Sequence, residues 1–218
     1  MILLYCLLLQ LVSAPSLATT VNTNVSNAVV SSLPQELRVV YPALSEVNKV
    51  DNSIGKVFVT FQIKDNELYA DFTVVNNELN AIPHLSANQY PYQFDVVEVF
   101  IAIKNKKSPT PFPYYEFELS PYNESFQVKV LDLKKPFQEG LDFGLRHITE
   151  FTKDGWRARL IIPLQNLNWD QDPASIIGNA YAILGKSPQR KFYSLYLPLL
   201  KKPNFHQPQF FQSIFTKK

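Results

Sequence analysis

The chain has 218 residues, 46% of them hydrophobic and including 16 Phe and 11 Tyr, which supplies a sizeable core and excludes a wholly disordered chain. Its formal net charge is +2, and its lysines are scattered apart from Lys104, Lys106 and Lys107 and the pairs Lys201 with Lys202 and Lys217 with Lys218. Without a basic stripe or a recognition motif, nucleic acid is excluded as a partner and these lysines read as solvated loop residues.

Residues 1–18, MILLYCLLLQLVSAPSLA, form a short apolar run closed by small residues, and Ser16-Leu17-Ala18 fits a small-x-small cleavage site. The segment reads as a secretory signal peptide cut after Ala18. The expected location is therefore secreted or periplasmic, with no stable membrane insertion after signal removal. The single cysteine, Cys6, lies inside this segment, so the mature protein is expected to have no disulfide, no cysteine zinc site and no thiol chemistry. Residues 19–32 are small, polar and uncharged and read as a flexible leader; residues 33–218 read as one domain. Around Pro34 and Pro42, residues 33–48 predict an edge strand with turns.

Strand signals then follow in series. Val57, Val59, Phe61 and Ile63 alternate with their neighbours, Asp65-Asn66 supplies turn chemistry, and Leu68, Ala70, Phe72 and Val74 alternate again, which predicts a β-hairpin. Residues 76–92 form a long, polar, proline-containing surface loop, of a length that often carries function. It leads into PYQFDVVEVF, residues 91–100. Alternation there puts Val97, Val99 and Ile101 on one face and Val96, Glu98 and Phe100 on the other. The first face reads as core. On the second, a carboxylate sits among apolar side chains, so Glu98 needs a partner, a ligand or water.

A Lys- and Pro-rich connection over 104–113 precedes Tyr115, Phe117 and Leu119, and the turn Pro121-Tyr122-Asn123 precedes Phe126, Val128 and Val130. Residues 145–152 add a strand, and Trp156, Ala158, Leu160 and Ile162 make another that ends at Pro163. Residues 164–169 read as a short helical turn, 179–184 and 190–197 as a final hairpin, and 202–215 as a proline- and aromatic-rich tail. The series predicts an all-β fold, an antiparallel β-sandwich of immunoglobulin-like or jelly-roll-like type. With only 6 glycines, its turns must rest on Asn, Asp and Pro.

Glu116 and Glu118 share one strand face in YYEFELSP and read as a solvated face, not as the paired carboxyls of a glycosidase cleft. His84, His147 and His206 show no ligand spacing, and no nucleophile elbow, phosphate loop or dinucleotide fingerprint is present, so no enzyme activity is expected. Asp95 and Glu98 lie on opposite strand faces and are poorly placed to share an ion. A structural calcium held by loop oxygens stays open, and no other cofactor is expected. Tyr90, Tyr92 and Phe94 precede the acidic strand, and Phe205, Phe210 and Phe211 crowd the tail. Aromatic faces stack on the C–H faces of sugar rings while carboxylates take the hydroxyls, so the combination suits carbohydrate; taken singly, each ring reads first as core.

In order along the chain, FDVVEVFI (94–101), YYEFELSP (114–121), GWRARLIIPLQNL (155–167) and KPNFHQPQFF (202–211) resemble the carbohydrate-binding module family 9-like proteins and the related DOMON-like ligand-binding domains. The resemblance implies a β-sandwich whose sugar site pairs two aromatic platforms with a glutamate. Glu98 matches that glutamate, and Tyr92 stands where members carry a tryptophan platform. Phe205 and His206 are nearest to the second platform, and Glu116 falls where some members have a basic sugar contact. Trp156 matches a core tryptophan. The Met/His haem of some DOMON relatives is excluded, because the sole methionine is Met1.

The expectation is an exported, non-catalytic domain that binds a carbohydrate or similar small molecule through Tyr92, Glu98, Glu116, Phe205 and His206. The alternatives are an envelope structural or protein-interaction sandwich with a degenerate site and, less favoured, a glycoside-processing enzyme using Glu98 with Glu116 or Glu118. Asp95 then reads as a cap for backbone amides at the start of its strand. Nothing in the pattern specifies an oligomeric state.

Overall fold

The computed structural model describes residues 30–41, 55–76, 78–104 and 110–215, so the expected signal peptide and most of the expected leader lie outside the described residues. The strands are β1 (Val30–Ser31), β2 (Gln35–Tyr41), β3 (Lys56–Lys64), β4 (Glu67–Val75), β5 (Val96–Ile103), β6 (Tyr114–Leu119), β7 (Ser125–Val130), β8 (Gln138–Glu139), β9 (Arg146–Thr152), β10 (Gly155–Pro163), β11 (Ile176–Leu184), β12 (Lys191–Ser194) and β13 (Gln212–Ser213). They run in the order β8-β7-β6-β5-β11-β12-β2-β3-β4-β10-β9, with β1 on β3 and β13 on β11. Every pairing is antiparallel.

This curled sheet folds into two facing layers, and β2 is where it turns from one to the other. Gln35–Leu37 pair with β3, while Arg38, Val39 and Tyr41 pair with β12. The described part of the expected edge strand, to Tyr41, is thus interior, paired on both sides with Pro34 just ahead of its ladder, and residues 42–48 of that segment lie outside the described residues. The end of the expected leader is also corrected: Val30 and Ser31 pair with Ile63 and Gln62, and the Ser32 hydroxyl accepts from the Phe61 amide at 2.8 Å.

Alternation builds the shared core. Val57, Val59, Phe61 and Ile63 of β3, Leu68, Ala70, Phe72 and Val74 of β4, and Trp156, Ala158, Leu160 and Ile162 of β10 pack against Val97, Val99 and Ile101 of β5. The β3–β4 turn takes Asp65 and Asn66 at φ of 53° and 62°, the left-handed pair that a two-residue hairpin needs. Asn123 and Asn168 likewise turn the chain at positive φ where glycine is scarce.

The layer containing β5 is buried on both faces. Its outer side chains, Val96, Phe100 and Ala102, form a second apolar cluster with Tyr114, Val128, Tyr181, Phe205 and Phe211. The tail covers them: the Leu200 amide donates to the Val40 carbonyl at 2.8 Å, the Tyr181 hydroxyl donates to the Phe205 carbonyl at 3.1 Å, and β13 returns to β11.

Candidate functional site

The site grows from the register of four neighbouring strands. Glu98 on β5 lies opposite Glu118 on β6 and opposite Tyr181 on β11. One step along, Phe100 faces Glu116, Glu116 faces Val128 on β7, and Val128 faces Glu139 on β8. Residues directly opposite in an antiparallel ladder share a sheet face, so these side chains form one patch. From one side the tail lays Asn204, Phe205 and His206 over it; from another, a 3-10 turn at Pro91–Gln93 brings in Tyr92. Between them lies a cavity of about 330 Å³, the size of a small-ligand site.

Tyr92 is the open ring, 41% exposed and stacked on Tyr90 with centroids 5.3 Å apart and planes 9° off parallel. Tyr90 in turn abuts Phe126 edge-on at 5.0 Å. The turn is tied to the floor beneath it, since the Tyr92 amide donates to Glu118 Oε2 at 3.0 Å. Arg190 holds it from outside by donating to the carbonyls of Tyr92 and Phe94. Phe205 is only 7% exposed, because one face of its ring stacks on Tyr181 with centroids 4.2 Å apart. His206 sits between Phe137 and Phe100, with ring centroids 4.6 and 5.3 Å away. Its Nδ1 shares a 2.7 Å hydrogen bond with the Tyr114 hydroxyl, and its Nε2 lies 3.9 Å from Glu116 Oε2. Burial lowers the His206 pKa to about 4, so the ring is neutral at neutral pH.

The carboxyls correct the expectation of a solvated face. Glu98, Glu116 and Glu118 are 2%, 6% and 0% exposed. Burial raises Glu116 to about 7. Glu98 also goes up, through burial and then the Glu116 charge, and Glu118 through burial and then the charges of Glu98 and Glu116. Like charges crowded together away from water hold protons, and a protonated carboxyl both donates and accepts hydrogen bonds. Glu118 Oε1 is buried with no hydrogen-bond partner. Such an atom is costly unless something polar reaches it.

Asp95 is not part of this group. Its Oδ1 accepts from the Gly185 amide at 2.7 Å, and its Oδ2 accepts from the Asn80 amide at 3.1 Å and Asn76 Nδ2 at 3.0 Å. It ties the 76–92 loop to the β11–β12 turn. Among the described residues, no cluster of His, Cys, Asp or Glu is arranged to hold a metal ion.

Tyr92, Glu98, Glu116, Phe205 and His206 therefore line one cavity. Sequence reasoning missed Glu118 as a wall of it, and also Glu139, Phe126 and Phe137. The available signal was that Glu116 and Glu118 share a face; which face depends on pairing to β5, and that is not a local property.

No family model matches the chain, and no curated protein matches it. Among solved structures, the fold is shared with a Bacteroides uniformis protein described as a "putative carbohydrate-binding protein", at a TM-score of 0.63 and 17% identity over 82% of this chain and 84% of that one. Also similar is a family 9 carbohydrate-binding module from Caldicellulosiruptor kristjanssonii. Its complex with cellotriose aligns at a TM-score of 0.49 and 17% identity over 75% of this chain and 72% of that one. Its complex with glucose aligns at 0.48 and 18% over 84% and 82%. The sandwich implied by the four sequence blocks is the fold found.

Proposed function

We propose that the chain is an exported, non-catalytic domain that binds a carbohydrate or a similar polyhydroxy ligand in this cavity. The observation that carries the reading is the convergence of an open tyrosine stack and three buried carboxyls on one small-ligand-sized space. Tyr92 offers an apolar ring face to the C–H face of a sugar, and protonated Glu98, Glu116 and Glu118 can each exchange hydrogen bonds with hydroxyls. Phe205 contributes a ring edge, its other face being taken by Tyr181, and His206 adds a neutral polar wall. The name carried by the Bacteroides uniformis protein of the same fold is consistent with this reading. Export rests on the apolar segment at residues 1–18; among the described residues, no helix is long and apolar enough to cross a membrane.

Binding without chemistry follows from where the carboxyls stand. Glycoside hydrolysis needs carboxyls on either side of the scissile bond, one of them ionised as base or nucleophile. Glu98 and Glu118 instead project from adjacent strands on one floor, and burial favours the protonated form of both. Titration calorimetry of the full chain against a broad panel of mono- and oligosaccharides tests the proposal. Saturable binding should weaken about tenfold or more in Tyr92→Ala and in Glu98→Ala. Silence across the panel, or binding indifferent to both substitutions, refutes it. Chromogenic glycosides should show no turnover above background.

A further inference from the structure

The cavity is acidic beyond what a neutral sugar requires. Glu98 from β5, Glu116 and Glu118 from β6, and Glu139 from β8 all line it. Among the described residues, Arg190 and His206 are the basic side chains seen to act on these carboxyls, and together they do not neutralise the group. Arg190 is committed to the carbonyls of Tyr92 and Phe94, and its guanidinium lies 5.5 Å over the Phe192 ring. Its charge is divided between Asp95 and Glu98 and does not act on Glu116 or Glu118. His206, nearest Glu116, is neutral at neutral pH because it is buried. The remaining titratable neighbours are the hydroxyls of Tyr92, Tyr114 and Tyr181, all of them held in the O–H form. A second observation concerns the wall itself: Glu118, fully buried among the lining residues, takes the Tyr92 amide on Oε2 and leaves Oε1 with no donor but a protonated Glu116 carboxyl.

We infer that the cavity selects a sugar carrying a protonated amine, a hexosamine whose nitrogen is not acylated, over a neutral sugar of the same skeleton. The inference rests on the carbohydrate reading above. A neutral sugar leaves the carboxyls protonated and gains only neutral hydrogen bonds. An ammonium group provides the opposite charge that Glu116 and Glu118 lack, and it converts those contacts into charge-assisted ones. Each carboxyl that ionises against it releases its proton to the buffer, so binding is coupled to proton release. The ring stack on Tyr92 is the same for both sugars. The preference therefore belongs to the carboxyls.

Calorimetry on the full chain at about pH 7 tests this with three ligands on one skeleton: cellobiose, the glucosamine disaccharide of the same linkage, and its di-N-acetyl form. Cadaverine, an ammonium without a sugar, is the fourth ligand. The glucosamine disaccharide should bind about tenfold more tightly than either neutral disaccharide, and its affinity should fall with added salt. Its apparent enthalpy should vary with the ionisation enthalpy of the buffer, marking the released proton. Glu118→Gln should shrink the preference to about threefold or less, and Glu98→Gln serves the same purpose should the first variant fold poorly. Equal or tighter binding of cellobiose or of the di-N-acetyl form overturns the amine selection and leaves carbohydrate binding standing. Cadaverine binding as tightly as the glucosamine disaccharide, with the neutral sugars silent, overturns the carbohydrate reading instead. Silence of all four ligands overturns both.

Discussion

Raising the pH from 6.5 to about 9 should weaken the fold through the carboxyls that face the cavity. Glu116 titrates at about 7 in the folded chain because burial raises it from an ordinary 4.5. A group raised on folding favours the folded state fully below its unfolded pKa, and that contribution is lost as pH rises through the folded pKa. At about 1.4 kcal/mol per pH unit, the separation corresponds to about 3 kcal/mol between strongly acidic and alkaline conditions. Of this, about 1 kcal/mol is lost above pH 6.5. Glu98 and Glu118, also raised by burial, add losses of the same sign. His206 acts oppositely: burial lowers it from 6.5 to about 4, so its contribution is lost as pH falls through that interval. Above pH 6.5 it still offsets about 0.4 kcal/mol of the loss, equally in the wild type and in a Glu116 variant. Urea unfolding at several pH values, on the wild-type chain and on Glu116→Gln, reads the effect. The wild-type unfolding free energy should fall across the window by about 1 kcal/mol more than that of the variant, whose slope is shallower. Stability that is flat or rising in the wild type, or an identical slope in both, refutes a protonated cluster.

Other substitutions separate the scaffold from the site. Asp95→Ala strands the Gly185 and Asn80 amides and Asn76 Nδ2, and should lower stability by about 2–5 kcal/mol in urea unfolding. In Gly178→Ala the new Cβ would come within 2.2 Å of the Phe100 carbonyl oxygen, so β11 must move off β5. A stability loss of about 1–3 kcal/mol should be accompanied by weaker sugar binding in calorimetry, because Phe100 is in the cavity wall. Trp156→Ala, in the shared core, should lower stability by about 3–5 kcal/mol. Arg159→Ala removes a bidentate pair with Asp71, at 2.5 and 3.1 Å, but both groups are solvated and the unfolding midpoint should move by less than about 1 kcal/mol equivalent.

What was legible in the sequence follows the range of the interactions involved. The β3–β4 hairpin could be read because strand alternation and an Asp-Asn turn are local signals. Glu98 could be picked out because one charge interrupting an apolar strand is visible in the strand itself. Its companions could not be seen in the same way. Glu116 and Glu118 announce a shared face by their spacing, but whether that face is wet depends on residues 200–211 folding back over it, far along the chain. The edge reading of β2 failed for a related reason: one of its two partners, β12, lies about 150 residues further along the chain, where no local signal reaches. Tyr92, Phe205 and His206 came from the resemblance, since an aromatic ring beside a cavity and one inside a core have the same sequence signature. Asp95 was legible in kind, as a cap for backbone amides, while its donors come from Gly185 and a loop that only tertiary structure brings near.

The central claim is that the space between the β5–β6 floor and the tail is where ligand binds, and backbone amide chemical shifts test it most directly. On titrating the full chain with the glucosamine disaccharide and, separately, with cellobiose, saturating shifts should concentrate at Tyr92, Glu98, Glu116, Glu118, Phe205 and His206. The outer face of β3, β4 and β10 should stay silent. Shifts clustered on that outer face, or none with either sugar, would contradict it.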